Sequence, residues 1–281
     1  MRELNGRVAV VTGAGSGIGR GLAARLAAEG MRVAVADIEA GPLEETRAAL
    51  AAAGAEVTAR VVDVGDEAAV HAFADHVFGA FGAVHLLCNN AGVFTGGQMW
   101  TRPAADFAWT FRVNTWGVLH GVRAFVPRMI EGGDEGHVVN TSSVAGLFAA
   151  PFSGAYGMSK FATYAATECL AHEFAVSGLK LRASVLCPGG VATGIAAAGR
   201  NRPAGLAAER TPDQDFIDQV ITDTVSGGIA PAEVADAVVR GVREERFLIL
   251  THESYRPGLV ARAEALAAGR LPDLPDFESR D

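Results

Sequence analysis

Lysine is almost missing from this chain. Lys160 and Lys180 are the only two among 281 residues, and arginine carries nearly all the positive charge. A compact ammonium that tolerates burial is chemically unlike a forked guanidinium, so a lysine kept in this background marks a position to inspect. Cysteine is scarce as well. Cys88, Cys169 and Cys187 are odd in number, far apart, and make no CxxC or metal-ligand spacing. This argues against a disulfide scaffold or a zinc ribbon, and points to reduced thiols in a cytoplasmic protein with no bound metal. No basic run exists, and a net charge of −8 with a pI near 5.4 argues against nucleic acid as a partner. No apolar run reaches the roughly 18 residues of a membrane span. The short one after MRELNGR does not fit a secretory signal either, so no membrane partner is expected.

What is present reads as an enzyme-like α/β chain, 49% hydrophobic and 20% charged. Residues 7–12 (RVAVVT) form a β-branched run that stops at TGAGSGIG, Thr12 to Gly19, and a run of helix formers follows. Strand, glycine-rich turn and helix together suit a pyrophosphate. Gly13, Gly15, Gly17 and Gly19 allow tight turning, and the N–H groups of a helix N-terminus, near Ser16 and Ile18, face the anion. A second strand, RVAVAD, ends in Asp37, about where an acid meets the hydroxyls of an adenosine ribose. A carboxylate there repels a 2′-phosphate and favours NAD over NADP; Arg20 and Arg47, the nearby cations, do not adjoin it in sequence.

The alternation continues. Helices are expected over 43–53 and 66–81, and strands over 56–62, closing at Asp63-Val64, and 84–88, closing at Asn90-Ala91-Gly92. One long helix over 104–129 carries Val113 and Asn114. Strands over 137–142 and 180–187 deliver Ser143 and Pro188-Gly189, and 246–251 makes a seventh strand. This predicts an α/β, Rossmann-like, doubly wound parallel sheet of about seven strands with helices on both faces, in a single domain over 1–281. Ligands bind at the carboxyl ends of such strands. Residues 191–231 lose the pattern and are expected to form a lid over the substrate. The Pro-rich tail, 252–281, is expected to be extended.

Thr141 to Lys160, TSSVAGLFAAPFSGAYGMSK, concentrates the chemistry. If a helix begins after Phe152, Tyr156 and Lys160 share a face at i,i+4. A cation beside a phenol favours the phenolate, so Lys160 is expected to pull Tyr156 below its usual pKa of about 10.

On these residues the chain resembles the short-chain dehydrogenase/reductase family from about Asn5 to Thr251. Thr12–Gly19 is similar to its TGxxxGxG turn, Asn89–Gly92 to its NNAG, and Asn114 to its helix asparagine. Ser143 matches its serine, Tyr156 and Lys160 its YxxxK, Pro188-Gly189 its PG turn, and Thr193 the hydroxyl that holds the nicotinamide carboxamide. The resemblance implies hydride transfer between NAD and a secondary alcohol or ketone. It also implies that Val144, Ala145, Leu147 and Phe148, with Val93, Phe94 and Phe152, line an uncharged pocket for a neutral, apolar small molecule. Tyr156 would be general acid/base, Ser143 would steady the substrate oxygen, and Lys160 would tune Tyr156 and bind the ribose. Asn114 would hold a water linking Lys160 to solvent. The implied cofactor-binding set is Gly13, Gly15, Ser16, Gly17, Ile18, Gly19, Asp37, Ile38, Asp63, Val64, Asn90, Ala91, Gly92, Val113, Tyr156, Lys160, Pro188, Gly189, Val191 and Thr193. A homodimer or homotetramer is implied as well. The alternatives are an NADP-dependent ketoreductase and a dinucleotide-binding regulator without turnover.

Overall fold

The computed structural model describes residues 1–206 and 210–274. Strands β1 (Val8–Thr12), β2 (Arg32–Asp37), β3 (Val57–Val61), β4 (Leu86–Asn89), β5 (Gly136–Thr141), β6 (Leu181–Cys187) and β7 (Leu248–Leu250) form one parallel sheet in the order β3-β2-β1-β4-β5-β6-β7. All seven lie within two residues of their expected bounds. In β1 the side chains alternate between two cores. Ala9 and Val11 join Leu22, Leu26, Val234 and Val238 on one face, and Val8 and Val10 join Phe73, Val77, Phe125 and Phe174 on the other. This two-sided burial explains why the strands read as continuous apolar runs.

The first face is covered by α1 (Gly17–Ala28) and α8 (Pro231–Arg243), the second by α3 (Glu67–Phe81), α5 (Gly117–Gly132) and α6 (Gly154–Val176), while α2 (Ala40–Ala52) flanks β2 and β3. Among the described residues no helix is long and apolar enough to cross a membrane. The sheet order reverses between β1 and β4, which places the glycine turn beside Asn90 at the switch point where a crevice opens.

Two expectations need correction. The helix over 104–129 is α4 (Ala104–Phe111), a widened π turn at Arg112–Trp116, and α5. Asn114 sits in that turn, and local register shifts of this kind recur at functional sites. The tail is not extended through its first half, because α9 (Tyr255–Ala267) forms there. Its Ala, Leu, Arg and Glu residues are strong helix formers, and Pro257 lies in the first turn, where a missing N–H is harmless. The end of the tail, 275–281, and Ala207, Ala208 and Glu209 of the 191–231 stretch lie outside the described residues. Within that stretch, short 3₁₀ turns at Ile195–Asn201 and Ala204–Leu206 precede α7 (Pro212–Ser226).

Candidate active site

One cavity of about 570 Å³ runs along the carboxyl ends of the strands. At one end, α1 starts behind Ser16, whose side chain makes no capping bond, and its first turn holds no acidic residue. The free N–H groups there suit a phosphate. Gly13 has φ +67°, and a Cβ on it would stand 2.8 Å from Ala91 Cα. A Cβ on Gly19 would fall 2.0 Å from the Gly13 carbonyl oxygen. Only glycine lets helix, turn and the β4 loop approach this closely. Asp37 is held from both sides, Oδ2 accepting from Gly15 N–H at 2.8 Å and Oδ1 from Glu39 N–H at 2.9 Å. Thr12 pins the β4 loop, its Oγ1 accepting from Asn90 N–H at 3.0 Å and its carbonyl from Asn90 Nδ2 at 3.0 Å.

The cations near this end are committed. Arg20 donates to the Gly15 and Pro42 carbonyls and to Glu45, and Arg47 pairs with Glu44. Arg200, arriving from the 195–201 turn, forks onto Glu39 at 3.0 and 2.7 Å. Arg112 Nη2 meets Asp63 Oδ2 at 2.7 Å.

Ser143, Tyr156 and Lys160 converge on the floor of the same cavity. Ser143 leaves β5 extended and starts a 3₁₀ turn, Val144–Gly146, with its Oγ accepting from Ala145 N–H at 3.1 Å. Lys160 is buried; its Nζ donates to the Thr141 carbonyl at 3.0 Å and lies 5.6 Å from the Tyr156 ring centroid. The expected depression of Tyr156 is absent. Burial of the hydroxyl pushes it up to about 12, partly offset by the nearby Ser143 hydroxyl. Burial also lowers Lys160 to about 8. The ammonium stands over the ring and is bonded to a carbonyl, so desolvation dominates both groups.

Asn114 is fully buried and does not line the cavity. Its Nδ2 donates to the Val93 carbonyl at 2.9 Å and to Ser159 Oγ at 3.0 Å, and its Oδ1 accepts from Val93 N–H at 2.8 Å. The side chain thus clamps the β4 loop to α6. Gly15 and Gly19 also stand behind the wall, and the other residues of the expected cofactor set line it.

The rest of the cavity is apolar. Val93, Phe94, Val144, Ala145 and Phe152 line it as expected, whereas Leu147 and Phe148 do not. The 3₁₀ turn rotates those two into a core cluster with Val185, Cys187 and Tyr255. Phe152 holds φ +58°, unfavourable for an aromatic residue, with its carbonyl bonded by Gly97 N–H at 2.7 Å. Wall residues not anticipated from sequence include Trp109, Ala198, Tyr255, Leu274 and one face of α7. The repeat Phe216-Ile217, Val220-Ile221, Thr224-Val225 was a readable signal for that face. The 191–231 stretch is anchored by a buried triad in which Asp106 lies between Arg102 and Arg202, and by Asp213, which accepts from Gln98 N–H at 2.8 Å.

A family model described as short chain dehydrogenase matches residues 7–203. The 1-deoxy-11-beta-hydroxypentalenate dehydrogenase of Streptomyces avermitilis is 39% identical over 252 residues, covering 89% of this chain and 86% of that protein. A CLA biosynthesis dehydrogenase/reductase of Lactiplantibacillus plantarum is 30% identical and matches 98% of both chains. Among solved structures, a short chain dehydrogenase/reductase from Burkholderia phymatum in complex with NAD superposes with a TM-score of 0.95, at 44% identity over 98% of this chain and 99% of that one. With this sheet order, glycine turn and Ser143–Tyr156–Lys160 floor, the chain belongs to the short-chain dehydrogenase/reductase family.

Proposed function

We propose that the protein is an NAD-dependent oxidoreductase interconverting a neutral, apolar secondary alcohol and its ketone in the cytoplasm. The observation that carries this reading is the meeting, in one cavity, of an anion-ready helix end and Asp37 with the Ser143–Tyr156–Lys160 floor. NAD is favoured over NADP because a carboxylate ends β2 and the surrounding guanidiniums are tied to Glu45, Glu44 and Glu39. The Burkholderia relative in complex with NAD supports the same choice. A neutral substrate follows from the walls. Their charged residues are Asp37, Glu39, Asp63, Arg112 and Arg200, mutually close at the adenosine end, and Lys160 on the floor.

The bound nicotinamide supplies the hydride acceptor for oxidation and the donor for reduction. The protein orients the substrate and moves the proton. Ser143 Oγ donates to the substrate oxygen and steadies its charge. Tyr156 takes the hydroxyl proton in oxidation and returns it in reduction. Lys160 lies behind it as a cation that stabilises the phenolate once formed. Asn114 fixes the loop carrying Gly92 and Val93, so it positions the site, and a water beside it would join Lys160 to solvent. Residues 191–231 act as the lid. Trp116 and Met158, large and exposed beside and on the helices bearing Asn114 and Tyr156, support a homo-oligomer built on those helices.

The test follows nicotinamide absorbance during turnover of neutral secondary alcohols with NAD and of the matching ketones with NADH, wild type beside Tyr156→Phe. Wild-type turnover that falls about 10²–10⁴-fold in the variant is expected. Equal rates in the two proteins, or NAD binding without turnover of any substrate, would refute the reading.

A further inference from the structure

The large apolar residues of α7, namely Phe216, Ile217, Val220, Ile221 and Val225, all line the cavity. The intervening positions are polar: Asp213, Asp215, Asp218, Gln219, Thr222 and Asp223. This is an amphipathic helix whose apolar stripe joins no core cluster among the described residues. Only Ile217 is buried, while Phe216 is 56% and Val220 40% exposed. An apolar face turned to a cavity persists at a cost unless something apolar covers it.

The stripe has a direction. Its C-terminal end lies at the cofactor side, where a Cβ on Gly190 would meet the Thr224 carbonyl oxygen at 3.0 Å. Its N-terminal end lies against Phe152, on which Phe216 packs edge-on at 5.5 Å between ring centroids. From Val225 back to Phe216 the helix rises about 13 Å, the reach of roughly ten methylenes. The three arginines of this stretch that could neutralise an acid are all engaged: Arg200 with Glu39, Arg202 with Asp106, and Arg210 with Asp215 and Asp218.

We infer that the substrate carries a large hydrocarbon body, of about ten carbons and without an anionic group, that lies along α7 from the reacting carbinol to the Phe152–Phe216 pair. This rests on the assignment of the floor to alcohol oxidation, and it adds size, direction and charge to the substrate. A long chain and a fused-ring skeleton share this chemistry, and α7 is the surface that selects it.

The test measures kcat/KM with NAD for methyl carbinols of about four to about fourteen carbons, and for homologues ending in a carboxylate. The expected slope is about two- to fourfold per added methylene, the upper figure matching full burial of each one, with a plateau near ten carbons. A terminal carboxylate should lower kcat/KM roughly tenfold or more. Val220→Asp, at a position exposed enough not to threaten folding, should flatten the slope. In parallel, Kd for the same alcohols is measured on the NAD-loaded Tyr156→Phe protein by calorimetry, independently of turnover. A Kd that tightens with length upholds the inference even if the reaction assigned above fails. A Kd or kcat/KM independent of length, or improved by the carboxylate, overturns it even if the reaction stands.

Discussion

Asp106→Asn should detach the 191–231 stretch from its anchor. Asp106 is fully buried at the start of α4, with Arg102 Nε on one oxygen and Arg202 Nη2 on the other, both at 2.5 Å. The second contact is close but poorly aligned for a hydrogen bond, so attraction between charges contributes most there. The Arg102 side chain is only 3% exposed, whereas Arg202 is 12% exposed and stacks near Trp109, its guanidinium 5.4 Å from the ring centroid. Removing the central anion leaves two guanidiniums facing each other in a desolvated space. Breaking a buried pair on one side typically costs about 3–5 kcal/mol. Arg202 belongs to the 191–231 stretch and can swing to water, and Arg102 keeps its bond to Thr211 Oγ1 at 2.7 Å. The low end, about 3 kcal/mol, is therefore expected. At roughly 2–3 °C per kcal/mol for a chain of this size, Tm should fall by about 6–9 °C. Thermal unfolding with and without NAD, together with limited proteolysis over 195–211, is the assay. Asp106→Leu combined with Arg102→Met and Arg202→Met should recover most of the loss, since an apolar replacement of a buried ion cluster is often neutral. A Tm for Asp106→Asn within about 1 °C of wild type would refute the triad as an anchor.

Other predictions concern the floor and the cofactor end. Because burial pushes Tyr156 up to about 12, it is a phenol through the neutral range. Alcohol oxidation, which needs the base, should rise with pH toward about tenfold per unit, while ketone reduction stays flat or falls; pH-rate profiles from about pH 6 to pH 10 decide, and a pH-independent oxidation contradicts it. Lys160 binds its proton less tightly in the fold, near 8, than in the unfolded chain, so it costs stability below about pH 8, and that cost fades as pH rises toward 10.5. Lys160→Met should thus raise Tm at pH 7 by the equivalent of about 1–2 kcal/mol while activity collapses; a lower Tm would contradict this. Gly19→Ala drives a Cβ against the Gly13 carbonyl and should weaken NAD binding at least about tenfold by titration. Asp37→Ser should narrow or invert the preference for NADH over NADPH, read as the ratio of their Kd values; an unchanged ratio removes Asp37 from cofactor choice.

The strands and their carboxyl ends were legible because the physics there is local. A run such as VAVVT can be buried on both faces only as a central parallel strand, and the first polar residue after it marks the rim. Asp37, Asp63 and Asn90 each follow or end such a run, so three separate strand ends predicted one crevice, and all three line it. The tail was misread for a local reason too. Its prolines drew attention to 271–276, while the helix formers of Tyr255–Ala267 decided the structure before them.

The walls and the electrostatics were less legible, because both depend on what packs from elsewhere. Leu147 and Phe148 are apolar residues five or fewer positions from Ser143, yet one 3₁₀ turn sends them into the core with Tyr255. The repeat in α7 announced an amphipathic helix but not whether its stripe would meet a core or a cavity. Tyr156 and Lys160 showed the same limit in energetic form. Their i,i+4 spacing correctly set the two side chains together and suggested a depressed phenol. The spacing does not report desolvation, which acts on both groups and, with the ammonium turned to Thr141, prevails. On the floor, burial thus shifts both the phenol and the ammonium toward their neutral forms.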